Sequence, residues 1–211
     1  MEVFENAALE SAALENLDQM DEVNQDSVLP EFMRMDETKE FAPSMEIQAV
    51  EIRDVFLDVP ELQYDQWIEL GMEERIGTLN DFETRIAEIE HRTPMEVRHE
   101  EMRDTLMGYY DGESLVLSEK FLMDNSYDSY KETLNTLFHE GRHAYQDYNL
   151  NVERVEQSAE MVQAWDVNNN ILGYKEPESI IPELGYLEYY SQPVEVDARV
   201  FAEKVINALN I

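Results

Sequence analysis

With 211 residues, 43% of them hydrophobic, the chain is long enough for one domain with a sizeable core and an appendage. Its 48 acidic against 15 basic side chains leave a formal charge of −33, which argues against nucleic acid and anionic membranes as partners and leaves solubility, or a basic protein partner, as its use. There are no cysteines, so disulfides and thiolate metal sites are excluded, and no run of eighteen apolar residues offers a membrane span.

The first residues lack a basic segment followed by an apolar run, so no Sec signal peptide is expected. The chain is expected to be cytoplasmic as synthesised, with export by a specialised route left open. Residues 1–44 read as an acidic N-terminal appendage. They are poor in large apolar residues, and Pro30 and Pro43 separate them from the rest of the chain. Residues 45–211 read as the folded domain. Within it, Met45 to Val59 mixes apolar and charged residues in a spacing that suits either a strand or a short helix. Glu61 to Glu90 carries Leu62, Trp67, Leu70, Ile76, Leu79, Phe82, Ile86 and Ile89, the pattern of one or two amphipathic helices punctuated by Gly71. Trp67 is a core residue on this reading. His91 and His99 have no ligand partners at useful spacing and read as surface histidines. Gly108 to Ser118 reads as a β-hairpin, because Asp111-Gly112 is a strong turn signal between β-forming residues. A free strand edge there is suited to pairing with an extended peptide.

The stretch from Thr133 to Tyr148 contains His139-Glu140-Gly141-Arg142-His143, an H-E-x-x-H motif. Residues four apart on a helix stack on one face, so both imidazoles reach one metal ion and Glu140 leans toward its open position as general base. Ser129-x-x-Glu132 reads as a capping box opening this helix, and Leu134, Leu137, Phe138, Ala144 and Tyr145 recur at helical spacing. Gly141 is a small residue that lets another segment approach. Downstream, Val152, Val155, Ala159, Val162 and Trp165 keep helical spacing to a stop at Asn168-Asn-Asn170. Gly173 to Gly185 reads as a loop, and Pro193 is placed to open the last helix.

Two histidines do not complete a catalytic metal site, which uses three protein ligands and a water. No histidine follows His143, so the third ligand must be a carboxylate, with Glu183, Glu188, Glu195 and Asp197 as candidates. His139-Glu-Gly-Arg-His-Ala-Tyr-Gln146, followed by Gln192-Pro-Val-Glu-Val-Asp-Ala198, resembles the gluzincin branch of zinc metallopeptidases. In that branch a later helix supplies a Glu within a Glu-x-x-Ala pattern. Glu195 and Ala198 match it, 52 residues after His143. From about residue 60 onward the chain also resembles zincin-like domains of phage proteins and bacterial polymorphic toxins. Trp67 with Glu74-Arg75, the hairpin, the metal helix and Tyr189-Tyr-Ser-Gln-Pro193 carry that likeness.

The resemblance implies a mostly helical α+β fold with a small sheet or hairpin beside the H-E-x-x-H helix. It implies Zn2+ held by His139, His143 and Glu195, with Glu140 as base. Asp197 is then a candidate to orient a histidine ring. Tyr186, Tyr189 and Tyr190 are candidates to donate to the oxyanion, with Tyr189 and Tyr190 favoured, and Arg142 and Arg199 as further donors. The function implied is hydrolysis of a protein or peptide substrate. The alternative is a non-catalytic zincin-fold protein whose acidic surface engages a basic partner.

Overall fold

A computed structural model describes residues 40–175 and 187–211. The architecture is α+β and mostly helical, with a three-stranded mixed sheet. In chain order, α1 (Met45–Leu57) leads through a 3-10 turn (Pro60–Leu62) and the short α2 (Tyr64–Trp67) to α3 (Met72–Ile89). Strands β1 (Glu96–Glu100), β2 (Gly108–Tyr110) and β3 (Ser114–Ser118) come next, then α4 (Glu119–Met123) and the long α5 (Tyr127–Asn151). After α5 come α6 (Ala159–Asp166), its π-helical continuation Val167–Gly173, a helical turn over residues 187–190, and α7 (Pro193–Leu209).

The stretch Met45 to Val59 resolves as helix, because Ala49, Ile52 and Phe56 form one buried stripe at spacings of three and four. Gly71 is the N-cap of α3, where Glu74 accepts its backbone N–H at 2.8 Å. Trp67 is fully buried, as expected of a core residue, with the buried Arg75 guanidinium 5.1 Å from its ring centroid. Arg75 also donates to the carbonyls of Leu70 and Leu122 and to Asn125 Oδ1. That set of bonds fixes the chain just ahead of α5. The buried Tyr130 hydroxyl adds a bond to the Leu62 carbonyl at 2.7 Å.

The capping box at Ser129 is corrected. The cap is Ser126, whose hydroxyl accepts from the Ser129 N–H at 3.2 Å, and α5 begins at Tyr127. Asp124 accepts from both the Ser126 N–H and the Ser129 hydroxyl, a cluster that outweighs the Glu132 signal. The expected Asn168-Asn-Asn170 stop is corrected too. These residues widen the helix into a π-helical segment. Leu134, Leu137, Phe138 and Ala144 of α5 lie in the core beside Phe82 of α3 and Phe201 of α7.

The hairpin forms as expected, with Gly112 at φ 93° in its turn and β2 antiparallel to β3 from Gly108↔Leu117 to Tyr110↔Leu115. β1 is a strand that the sequence does not announce. It pairs parallel to β3, which makes β3 the central strand. Its outer edge is covered where Asn80 of α3 bonds both the N–H and the C=O of Val97 at 2.9 Å. The opposite edge, β2, lies against α5. Gly108 is required there, since a Cβ would sit 2.7 Å from both Thr136 Cγ2 and the Val116 carbonyl.

Most of the expected appendage lies outside the described residues, but its last residues pack on the domain. Ala42 is buried, donates its N–H to the Val155 carbonyl at 2.9 Å and accepts from Gln157 at 2.9 Å, while Gln48 donates to the Pro43 carbonyl. Net hydrogen bonds contribute about 1 kcal/mol each. A chain starting at residue 45 should therefore melt roughly 5–10 °C below one starting at residue 40, as read by calorimetry.

Candidate metal centre

Three separate stretches meet at this centre. His139, Glu140 and His143 come from the middle of α5, Glu195 from the first turn of α7, and Tyr110 from β2. Pro193 occupies the first position of α7, so its fixed φ starts the helix where Glu195 turns inward. Glu195 is 1% exposed although it is a carboxylate. The two imidazole Nε2 atoms are 3.2 Å apart. Glu195 Oε2 lies 3.4 Å from His139 Nε2 and Glu195 Oε1 lies 3.4 Å from His143 Nε2.

Tetrahedral bonds of about 2.1 Å place neighbouring ligand atoms about 3.4 Å apart, so these separations suit a common ion. The orphaned polar atom agrees. Glu195 Oε2 is buried and accepts no well-formed hydrogen bond, with only His139 Nε2 at 3.4 Å and Arg199 Nη1 at 3.7 Å nearby, so a cation would complete its surroundings. The group His139, His143 and Glu195 can therefore hold a metal ion. Of the other carboxylates considered, Glu188 pairs with Lys175 at 3.1 Å, Asp197 pairs with Arg142, and Glu183 lies outside the described residues.

Glu140 Oε2 accepts the Tyr110 backbone N–H at 3.0 Å, which ties the motif's acid to the edge strand. In an antiparallel pair alternate residues turn their N–H and C=O away from the partner strand. Met107 and Asp111 bond Ser118 and Ser114 of β3, so Gly108 and Tyr110 face the other way, toward α5. A cleft of about 540 Å³ lies there, with Tyr109, Tyr110, Glu140, His143, Tyr174 and Tyr189 among its lining residues.

The tyrosines separate. Tyr189 lines the cleft, and burial and then the Glu195 charge push its phenol pKa up. Tyr190 is not among the lining residues. Its ring lies 3.5 Å from the Arg199 guanidinium, and Arg199 stands 3.7 Å from Glu195 Oε2. Tyr186 lies outside the described residues. Tyr174, which the sequence does not single out, donates to Glu195 Oε1 at 2.6 Å and meets the Tyr189 ring edge-on at 6.2 Å. Its sequence signal is weak because it comes after a polar Asn run in an expected loop. Gln146 is also unexpected at the site. Its side chain stands between His143 and Asp197.

Close approach does not require a glycine at 141, since a Cβ there would make only ordinary contacts. A Cβ would stand 3.6 Å from Arg92 Nη2, and that arginine is paired with Glu83 and Glu90 in a buried cluster. His91 and His99 are not in the ligand group, and His99 Nδ1 instead meets Glu119 at 2.9 Å. Compared with known proteins, the chain matches no family model, no curated protein and no solved structure.

Without an ion, the centre holds a proton. Burial opposes charge on His143, but the Glu195 hydrogen bond and the Glu140 and Glu195 charges outweigh it and push the imidazole up to about 9. Burial also opposes charge on Glu195, yet the adjacent His139 and His143 imidazoles and the Tyr174 hydroxyl hold its carboxyl well below the usual range. A histidine pKa raised on folding stabilises the protein fully below its unfolded value, about 6.5, and that contribution disappears as pH rises to the folded value. Chelator-treated protein should lose on the order of 2 kcal/mol between about pH 6.5 and pH 9, read by thermal unfolding. Protein saturated with a divalent ion should show no such loss over the same interval, because the ion and not a proton then occupies His143. Superimposable curves would exclude metal binding at this centre.

Proposed function

We propose that the chain is a zinc-dependent metallopeptidase of gluzincin type, acting on a protein or peptide substrate. Zinc is favoured because the donors are two imidazoles and one carboxylate, with no thiolate in the chain and three protein ligands leaving a fourth position. The observation that carries the peptidase reading is the pairing of Glu140 with an outward-facing strand edge. The residue that handles protons and the backbone able to grip an extended peptide line one cleft.

Bound zinc supplies a water acidified to near neutrality. With the ion held by His139, His143 and Glu195, Glu140 would be the base that accepts the water's proton as oxygen adds to the carbonyl carbon, and the acid that gives it to the leaving amine as the C–N bond breaks. Its carboxylate is already aimed by the Tyr110 N–H, so little reorganisation accompanies the transfer. The Gly108 backbone and the Tyr110 carbonyl align the substrate along β2. Tyr174 and Tyr189 line the same cleft as Glu140, and a phenol there can donate to the oxygen of the attacked carbonyl. Tyr174 now bonds Glu195, so it would exchange that bond for one to the substrate. Among the described residues no helix is long and apolar enough to cross a membrane.

Glu140→Gln should keep stoichiometric zinc and lose about 10²–10⁴-fold in peptide cleavage, the usual worth of a general base. The measurement is new N-termini in a denatured protein mixture, wild type against variant, beside elemental analysis. Glu195→Gln should lose zinc in competition with a chromogenic chelator, while Glu188→Gln keeps it. Stoichiometric zinc in wild type, with no cleavage beyond that of Glu140→Gln, would favour the non-catalytic binding protein instead.

A further inference from the structure

Gln146 lies one turn beyond His143 on the metal helix and is 2% exposed. Its amide makes three bonds, and their directions leave one orientation. Nε2 faces two oxygens that can only accept, the Val194 carbonyl at 2.9 Å and Asp197 Oδ2 at 2.8 Å. Turning the amide over would set Oε1 against both acceptors and forfeit both bonds. Oε1 therefore points at His143 Nδ1, 2.9 Å away, and that nitrogen must be the donor.

The partners beyond Gln146 are equally constrained. Asp197 is 7% exposed and receives Arg142 through Nε at 2.9 Å and Nη2 at 3.3 Å. Arg142 is itself buried, against the rings of Tyr145 and Phe201. Val194 precedes Glu195 on α7, so the same amide that bonds His143 holds the first turn of the helix bearing the third ligand.

We propose that Gln146 is a positioning residue that holds His143 as the Nδ1–H tautomer and locks its Nε2 in register with Glu195, with Arg142 and Asp197 fixing the amide's direction. The inference rests on the metal reading of the centre and adds to it how two of the three ligands are kept aligned. A carboxylate at position 146 has nearly the shape of the amide but no N–H for Val194 or Asp197. Charge pattern, not volume, is what the position requires.

The test uses full-length protein, zinc as probe, and 15N-labelled histidine. Long-range proton–nitrogen spectra assign which His143 nitrogen carries hydrogen. In zinc-loaded wild type, Nδ1 should be protonated and Nε2 metal-bound. Gln146→Ala and Gln146→Glu should each weaken zinc binding about 10- to 100-fold, the usual cost of removing the group that orients a ligand, and should lose the water-protected Nδ1–H signal. Affinity within twofold of wild type in both variants would overturn the proposal. So would weakened affinity with the protected Nδ1–H signal intact, which marks a merely structural role. Should wild type take up no zinc, the metal reading fails by itself. The neutral His143 of metal-free wild type at pH 10 then decides the tautomer, Nδ1–H supporting the proposal and Nε2–H overturning it. The same wild-type spectrum decides the matter if both variants fail to fold.

Discussion

Arg142 sits inside the H-E-x-x-H motif, 1% exposed, with its guanidinium stacked among Tyr145, Trp165 and Phe201. Burying a guanidinium is costly unless it is paired with good geometry, and Asp197 on α7 supplies a two-point partner. The pair is therefore a strong constraint. It permits one rotation and one height of α7 against α5, because any slip separates a buried charge from its partner. His139 and His143 lie on one side of that contact and Glu195 on the other. The metal centre exists where the two helices are held in this register.

The motif's glutamate is held by a different device. Glu140 points away from the Arg142 side of α5, toward β2, and its alignment depends on how closely the strand approaches the helix. Gly108 sets that distance by having no side chain to meet Thr136 and the Val116 carbonyl. The sheet that presents β2 is secured from behind. β3 is sandwiched between two partners, and Asn80 closes the far edge by bonding both backbone groups of Val97. Pairing is thus satisfied at one edge, and the other faces the cleft. The arrangement that aims Glu140 also turns the outer backbone groups of β2 toward the cleft.

Several of the chain's few cations lie inside. Arg75, Arg92, Arg142 and Arg154 are all buried, out of 15 basic residues in total. Arg75, Arg92 and Arg142 each meet carbonyls or carboxylates that another segment supplies, so each works as a joint, while Arg154 ties down its own loop through the Glu156 and Gln157 carbonyls. Among the described residues four carboxylates, Glu83, Glu90, Glu195 and Asp197, are buried as well, so the outer surface keeps the acidic excess of the composition. Such an excess attracts cations from solution, and the attraction weakens with added salt.

Much of the fold and the ligand pair was legible in the sequence, because local rules govern them. The helical repeat brings His139 and His143 to one face, Asp111-Gly112 turns the hairpin, and Pro193 opens α7. These need only neighbours within a few residues. β1 was not legible, since Val97 is its one buried apolar residue and its pairing with β3 is parallel and non-local. Among the downstream carboxylates local chemistry offered no choice. Resemblance pointed to Glu195, and burial on the inner side of α7 brings it to both imidazoles. Gln146 and Tyr174 belong to the centre only through contacts spanning 51 and 21 residues. The sequence by itself determined which residues share a helix face and where turns and helices begin. Tertiary structure alone decided which distant polar groups complete the centre, because a buried donor or acceptor takes its partner from whatever the packing brings within hydrogen-bond reach.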